Sequence, residues 1–306
     1  MCNPIEEEGA LLTLLKIITR SVSVLEDLHI DLIVRLGFIP KLIDMLNIND
    51  NNVRNEIALI VINLTACESN CVELIKNLNG HKKLIELIDS SNISLVERCL
   101  WALGNIAGDK NTLRELLLST ELPIKISILL SKDIPLSLRR IACWVASHLC
   151  QGSLQYTKVL PMLQPLNSCL NQLDLQVLSD TLKALSSIIQ DKFMRGELAR
   201  QLNIRRILEL MLCKQHEVSL PATYVIGYLC SGDHICTSLV IENEGVKVLC
   251  FVLQDTSVNL HTTKYACWAL ANLSLIYAAD LALNHDLIKR IVQLITTSSD
   301  YSVFFL

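Results

Sequence analysis

CLWALGNIAGD (99–109) sets an indole, Trp101, four residues ahead of an amide, Asn105, inside an apolar run that ends in Gly-Asp. The same layout returns in CWVASHLCQG (143–152), TYVIGYLCSGD (223–233) and CWALANLSL (267–275). IALIVINLTA (57–66) and TLKALSSIIQD (181–191) keep the register without the aromatic. The polar anchor falls at Asn63, Asn105, His148, Ser187, Tyr228 and Asn272, with gaps of 42, 43, 39, 41 and 44 residues. A period near 42 is that of armadillo and HEAT units and is longer than ankyrin or tetratricopeptide periods.

A second landmark recurs between these segments. LGFIPKLIDML (36–46), NGHKKLIELI (79–88), TELPIKISILL (120–130) and NEGVKVLCFVL (243–253) each place a loop residue or Gly ahead of an amphipathic stretch. Glycine permits a sharp turn between helices, and Pro40 and Pro123 suit a helix's first turn. Each unit is expected to hold a short helix, a second after the turn, and a third carrying the aromatic–polar pair. No unit buries its apolar face alone, so stacking supplies the core. The expected fold is all-α, an armadillo-repeat right-handed superhelical solenoid over residues 1–306. A partial repeat occupies 1–22, six repeats 23–277 and a partial repeat 278–306, with YSVFFL as a cap.

Composition agrees. Apolar residues are 51 % and aromatics only 5 %, with 10 Gly and 7 Pro, which favours helices with aliphatic seams over many-stranded sheets. A net charge of −4 gives no field for nucleic acid, and the pairs Arg139–Arg140 and Arg205–Arg206 are expected to sit solvated on helix faces. The 12 cysteines include Cys99, Cys143, Cys213 and Cys267 inside apolar helical runs, where a thiol acts as a small hydrophobe in a reduced, intracellular protein. Neither Cys67 with Cys71 nor His148 with Cys150 has zinc-finger spacing, so no metal and no cofactor is expected. No apolar run is long enough to span a bilayer. A Gly-rich phosphate loop, H-E-x-x-H and G-x-S-x-G are absent, so the chain is not expected to be an enzyme.

Positions i and i+4 of a helix share a face, so Trp101 with Asn105, Trp144 with His148, and Trp268 with Asn272 project together. Third helices side by side turn the pairs into two rails. Aromatic slots take apolar stems and cationic heads, and amides can donate to and accept from a peptide backbone.

WALGNIAGD (101–109) resembles the third helix of the third armadillo repeat of importin-α, the adaptor for nuclear localisation signals. IDLIVRLGFIPKLIDML (30–46) resembles that family's entry into the second repeat, LRRIACWVASHLCQG (138–152) the fourth, VLSDTLKALSSIIQD (177–191) the fifth, PATYVIGYLCSGD (221–233) the sixth and TTKYACWALANLSL (262–275) the seventh. The resemblance implies a concave groove for basic localisation-signal peptides of cargo proteins. Its major site would comprise Asn63, Trp101, Asn105, Trp144 and His148, with Asp109 in the place of the acid that pairs with the key lysine and Asp180 as a retained acid of the fifth repeat. Trp268 and Asn272 would remain from a minor site. Cytoplasm and nucleus are the implied locations.

Several positions depart from the family pattern. Leu59 stands for a Trp, His148 for an Asn, Arg98 for a neutral amide, Lys183 and Ser187 for the aromatic and its partner, Tyr228 for an Asn and Tyr265 for an acid. Importin-β, a partner the family recruits through a basic N-terminal segment, is not expected by that route, since only MCNPIEEEG precedes the first helix. The alternative is an armadillo-repeat interaction scaffold outside nuclear import, with another ligand in the groove.

Overall fold

The computed structural model describes residues 4–24, 33, 35–67, 72, 75–152, 156–192, 195–255, 259–282 and 285–297, whose regular structure is helical with no strand. Contacts divide the chain into two compact units, Met1–Met162 and Leu163–Leu306.

In the first unit the helices are α1 (Pro4–Val24), α2 (Phe38–Met45), α3 (Asn51–Cys67), α4 (Gly80–Glu86), α5 (Ile93–Asp109), α6 (Asn111–Leu118), α7 (Leu122–Leu130) and α8 (Leu136–Leu149). Helix α9 (Tyr156–Cys169) crosses the boundary. The second unit continues with α10 (Leu175–Ile188), α11 (Arg195–Ala199), α12 (Ile204–Met211), α13 (His216–Cys230), α14 (His234–Glu242), α15 (Gly245–Gln254), α16 (Leu260–Ala282) and α17 (His285–Thr297). The third helices pack in series, α1 on α3, α3 on α5 and α5 on α8 in one unit, α10 on α13 and α13 on α16 in the other.

Helices this short are marginal alone, and burial holds them. Leu95, Cys99, Leu100, Leu103 and Ile106 of α5 are buried, as are Val218, Val225, Ile226 and Leu229 of α13. Each buried aliphatic side chain contributes about 1.5–3 kcal/mol. Starts are set locally. Asn92 accepts from the Leu95 amide at 3.1 Å, Asp174 from Val177 at 3.0 Å and Asp233 from Cys236 at 3.0 Å. These are N-caps, and the backbone donors hold the Asp233 carboxyl below its ordinary pKa.

The turn landmark forms, but its strain sits one residue earlier than expected in two copies. Gly37 is left-handed (φ 65°), whereas in NGHKK and EGVKV it is Asn79 (φ 57°) and Glu244 (φ 64°). Gly80 and Gly245 open the helices for a different reason. A Cβ on Gly80 would lie 2.7 Å from Ile75 Cγ2, and one on Gly245 2.3 Å from Val240 Cγ1. Other expectations also shift. The segment after residue 155 holds one helix, α9, in place of two short ones, α1 already begins at Pro4, and α16 runs past 277 to Ala282. Cys213 lies in the connection after α12 and not in a helix. Cys71 and the tail YSVFFL lie outside the described residues.

Helix ends are closed by arginines, which the sequence reading placed in solvent. Arg139 donates to Leu130 O (3.3 Å) and Lys132 O (3.1 Å), and Arg206 to Leu170 O (3.1 Å). One member of each basic pair is thus a clamp on terminal carbonyls, which lack intrahelical donors. Arg114 reaches two helices, donating to Ala107 O (3.1 Å) in the last turn of α5 and to Gln151 O (2.8 Å) just beyond α8. Arg195 repeats the clamp with Ile189 O (2.8 Å), Gln190 O (2.9 Å) and Ser231 Oγ (3.0 Å).

His81 on α4 is buried, and both ring nitrogens lack a hydrogen-bond partner among the described residues. Burial, then Lys82 and Lys76, lower its pKa below 6.5. The unfolded chain therefore takes up a proton near pH 6.5 that the folded chain refuses, so this contribution to stability is present above 6.5 and is lost as pH falls below it. Urea unfolding between pH 7.5 and about 5 is expected to show this loss, and His81→Leu to flatten it.

Candidate functional site

The ladder of aromatic and polar side chains forms on the predicted helices. In the first unit, Asn63 is on α3, Trp101, Asn105 and Asp109 are on α5, and Trp144 and His148 are on α8. Trp101 is 50 % exposed, so it stands in solvent rather than in the core. Asp109 is exposed at the end of α5, and Asn63, Asn105, Trp144 and His148 are half-buried.

The Trp144–His148 rung is seated on the preceding helix. A Cβ on Gly104 would lie 2.1 Å from Trp144 Cζ3, so the indole rests directly on α5 backbone. One turn later Gly108 receives the His148 ring, 3.3 Å from the same construction. The two rings meet edge to face with centroids 4.8 Å apart, worth about 0.5–1.5 kcal/mol beyond their burial. On α3 the register equivalent of Gly104 is Ile62, which offers no such seat to Trp101.

Asn105 is oriented from behind. Its Nδ2 donates to Ile62 O (3.3 Å) and to Thr65 Oγ1 (3.2 Å) of α3. Both amide hydrogens are thereby used, which also fixes the O/N assignment. The Oδ1 is left to accept, so Asn105 offers a ligand's N–H an acceptor, where the sequence reading expected both donor and acceptor. Asn63 Nδ2 also faces inward, without a partner among the described residues.

Thr65, Gly104, Asn105, Gly108, Asp109, Trp144 and His148 surround an open hollow of about 320 Å³. It joins a flat aromatic wall, an amide acceptor and a carboxylate, the elements that hold a cation on an aliphatic stem. Thr65, Gly104 and Gly108 were missed in the sequence. The signal for Gly104 was a glycine just before the anchor, as in LGN, followed one period later by an indole.

The second unit gives its residues different surroundings. Asp180 on α10 is only 4 % exposed, and Lys183 Nζ lies 3.0 Å from its Oδ1. Lys183 occupies the aromatic position of this repeat, so the chain's own ammonium neutralises the carboxylate. Trp268 on α16 sits on Gly227, whose Cβ would lie 2.8 Å away. Tyr228 (5.6 Å between centroids) and Tyr265 (6.0 Å) meet it edge to face, and Tyr265 meets Tyr224 in an edge contact (4.2 Å). The Arg195 guanidinium carbon lies 5.9 Å from the Tyr228 ring centre, so that ring already carries a cation. Asn272 Nδ2 is buried without a partner among the described residues.

A repeated third-helix ladder on an all-helical frame defines an armadillo-repeat protein. Residues 68–108 and 233–275 match the armadillo/β-catenin-like repeat. The chain is 26 % identical over 243 residues to importin subunit alpha-1b of Oryza sativa subsp. japonica, covering 78 % of this chain and 45 % of the relative. It is 26 % identical over 268 residues to importin subunit alpha-8 of Arabidopsis thaliana, covering 84 % and 58 %. It spans about half the length of the curated relatives it matches. An engineered protein of known structure superposes with a TM-score of 0.83 at 20 % identity, covering 98 % of this chain and 77 % of the other. A designed armadillo repeat protein in complex with the peptide (KR)4 gives 0.71 at 19 %, covering 76 % and 98 %. The chain is thus an armadillo-repeat protein distantly related to importin-α subunits over most of its length. Among the described residues no helix is long and apolar enough to cross a membrane.

Gly104→Ala is expected to expel the Trp144 ring, shift tryptophan emission to the red and cost about 1–3 kcal/mol of stability. Gly9→Ala, on α1 with nothing within 4 Å, is the control and is expected to stabilise by about 0.5–1 kcal/mol. Equal effects at both sites would remove the seat.

Proposed function

We propose that this chain binds extended, Lys- or Arg-rich peptides across α3, α5 and α8, as a receptor for nuclear localisation signals passing between cytoplasm and nucleus. The observation that supports it is the hollow at Asn105, Asp109, Trp144 and His148. A lysine stem lies against the indole, with its ammonium directed to Asp109, while a peptide N–H meets Asn105 Oδ1. Trp101, exposed one helix earlier, provides the next aromatic face, and Asn63 lies on the preceding helix α3. The role is binding without covalent chemistry, in keeping with generally non-enzymatic armadillo and importin-α-like proteins.

A basic ligand also suits the relatives. They are named as importin alpha subunits, and a structural neighbour holds (KR)4. In the second unit, Asp180 is occupied by Lys183 and Trp268 is boxed by tyrosines, so we assign Trp268 and Asn272 a lesser share of the affinity. Those same departures favour the second reading, an interaction scaffold outside nuclear import with another ligand in its groove.

Titrating a fluorescent Lys/Arg-rich peptide tests the assignment. Binding should weaken as salt is raised, because the attraction is screened. Trp101→Ala and Asn105→Ala should each weaken it about tenfold, the scale of a hot-spot truncation. A peptide that fails to bind, or binds equally well to both variants, would leave only the scaffold.

A further inference from the structure

The face of α5 that carries Trp101, Asn105 and Asp109 starts at Arg98, one turn before the indole. At 100° per residue the four positions stay within about 80° of arc, so they form one stripe. The stripe has opposite charges at its ends, about 16 Å apart at 1.5 Å per residue. Asp109 borders the hollow between α5 and α8. Arg98 borders a second, polar hollow of about 230 Å³ at the other ends of the helices, among α1, α3 and α5.

This second hollow is lined by Lys16, Asn52, Asn55, Glu56, Ser94 and Arg98. Its two cations are not spent on carboxylates. The half-buried Arg98 donates through Nη1 to Asn55 O at 2.7 Å, and among the described residues neither Arg98 nor Lys16 forms an ion pair. Glu56 is the one acid in the lining, and its Oε2 accepts from Thr19 Oγ1 at 3.1 Å. The bond to Asn55 fixes the guanidinium plane, so its remaining N–H groups are presented without further loss of side-chain freedom. Most other described arginines close helix ends, which makes this pair unusual within the chain.

We propose that Lys16 and Arg98 hold an acidic side chain, glutamate, aspartate or phosphoserine, of the same peptide whose basic residue reaches Asp109. The ligand is a charge-mixed peptide rather than a uniformly basic one. This rests on the peptide-binding reading above and names its specificity. Neighbouring helix axes lie 8–10 Å apart, and an extended chain advances about 3.3 Å per residue. Moving from the α5–α8 hollow to the α3–α5 hollow therefore takes roughly three residues. An odd step also turns the side chain to the opposite side of an extended peptide, toward the opposite ends of the helices. Spacing and alternation agree.

The test is anisotropy titration of the full chain with one Lys/Arg-rich core peptide carrying Ala, Glu or phosphoserine three positions from the core, on either side. On the unaltered protein, Glu or phosphoserine on one side is expected to tighten binding about three- to fivefold over Ala, the scale of a half-exposed charge pair. Arg98→Gln and Lys16→Gln should each remove most of that gain. Arg98→Gln should also bind the Ala peptide as tightly or more tightly, since a repelling charge has gone. Equal affinities for the three peptides would overturn the proposal and leave the basic-peptide reading intact. So would an Arg98→Gln variant that loses the same factor for every peptide, because the arginine would then act only through its bond to Asn55. If no peptide in the series binds, both readings fall together.

Discussion

The distance between successive third helices governs everything built on them. Where Trp144 lies on Gly104 and Trp268 on Gly227, no side chain separates ring from backbone. Ridges of one helix must enter grooves of the next for such contact, and glycine supplies the deepest groove available. The indole is therefore positioned by the neighbouring repeat and not by its own. The same holds for Asn105, whose amide is turned by Ile62 and Thr65 of α3. A rung of the ladder is a property of two repeats, which is why no single repeat could present it.

Charge is distributed with a similar economy. A solenoid of short helices has many terminal carbonyls to satisfy, and this chain uses guanidinium forks for the purpose. Arg54, Arg114, Arg139, Arg195, Arg206 and Arg290 all donate to carbonyls at or near helix ends. A net charge counted from sequence therefore misstates what the surface offers. Among the basic residues that close no helix end, Lys16 and Arg98, the latter steadied by the Asn55 carbonyl, share one hollow.

The period, the third helices and the exposure of Trp101 were legible because they depend on spacing within one helix. Trp101, Asn105 and Asp109 had to align once α5 formed. What escaped reading depends on the offset between helices. Nothing within LGN says that Gly104 carries the ring of Trp144, and nothing within NLTA says that Thr65 receives Asn105. Asp180 looked like a peptide contact in the resemblance, yet Lys183 one turn on already neutralises it. The turns misled for a related reason. Glycine in NGHKK and EGVKV was read as the residue that permits the turn, whereas Gly80 and Gly245 are small because Ile75 and Val240 crowd them.

The cysteines carry a further consequence. Of the nine whose side chains are described, seven are buried, and only Cys213 and Cys267 are partly open. Burial pushes the thiols of Cys99, Cys150 and Cys236 up to about 12 and raises those of Cys230 and Cys250 as well. The thiolate is the species that peroxide and alkylating agents attack, and at neutral pH a thiol of pKa 12 presents about one part in 10⁵ of it. At these buried positions the helical frame can thus be rich in sulfur and still resist oxidants while folded. The same thiols become reactive once a helix lifts away, so their labelling rates report local opening repeat by repeat.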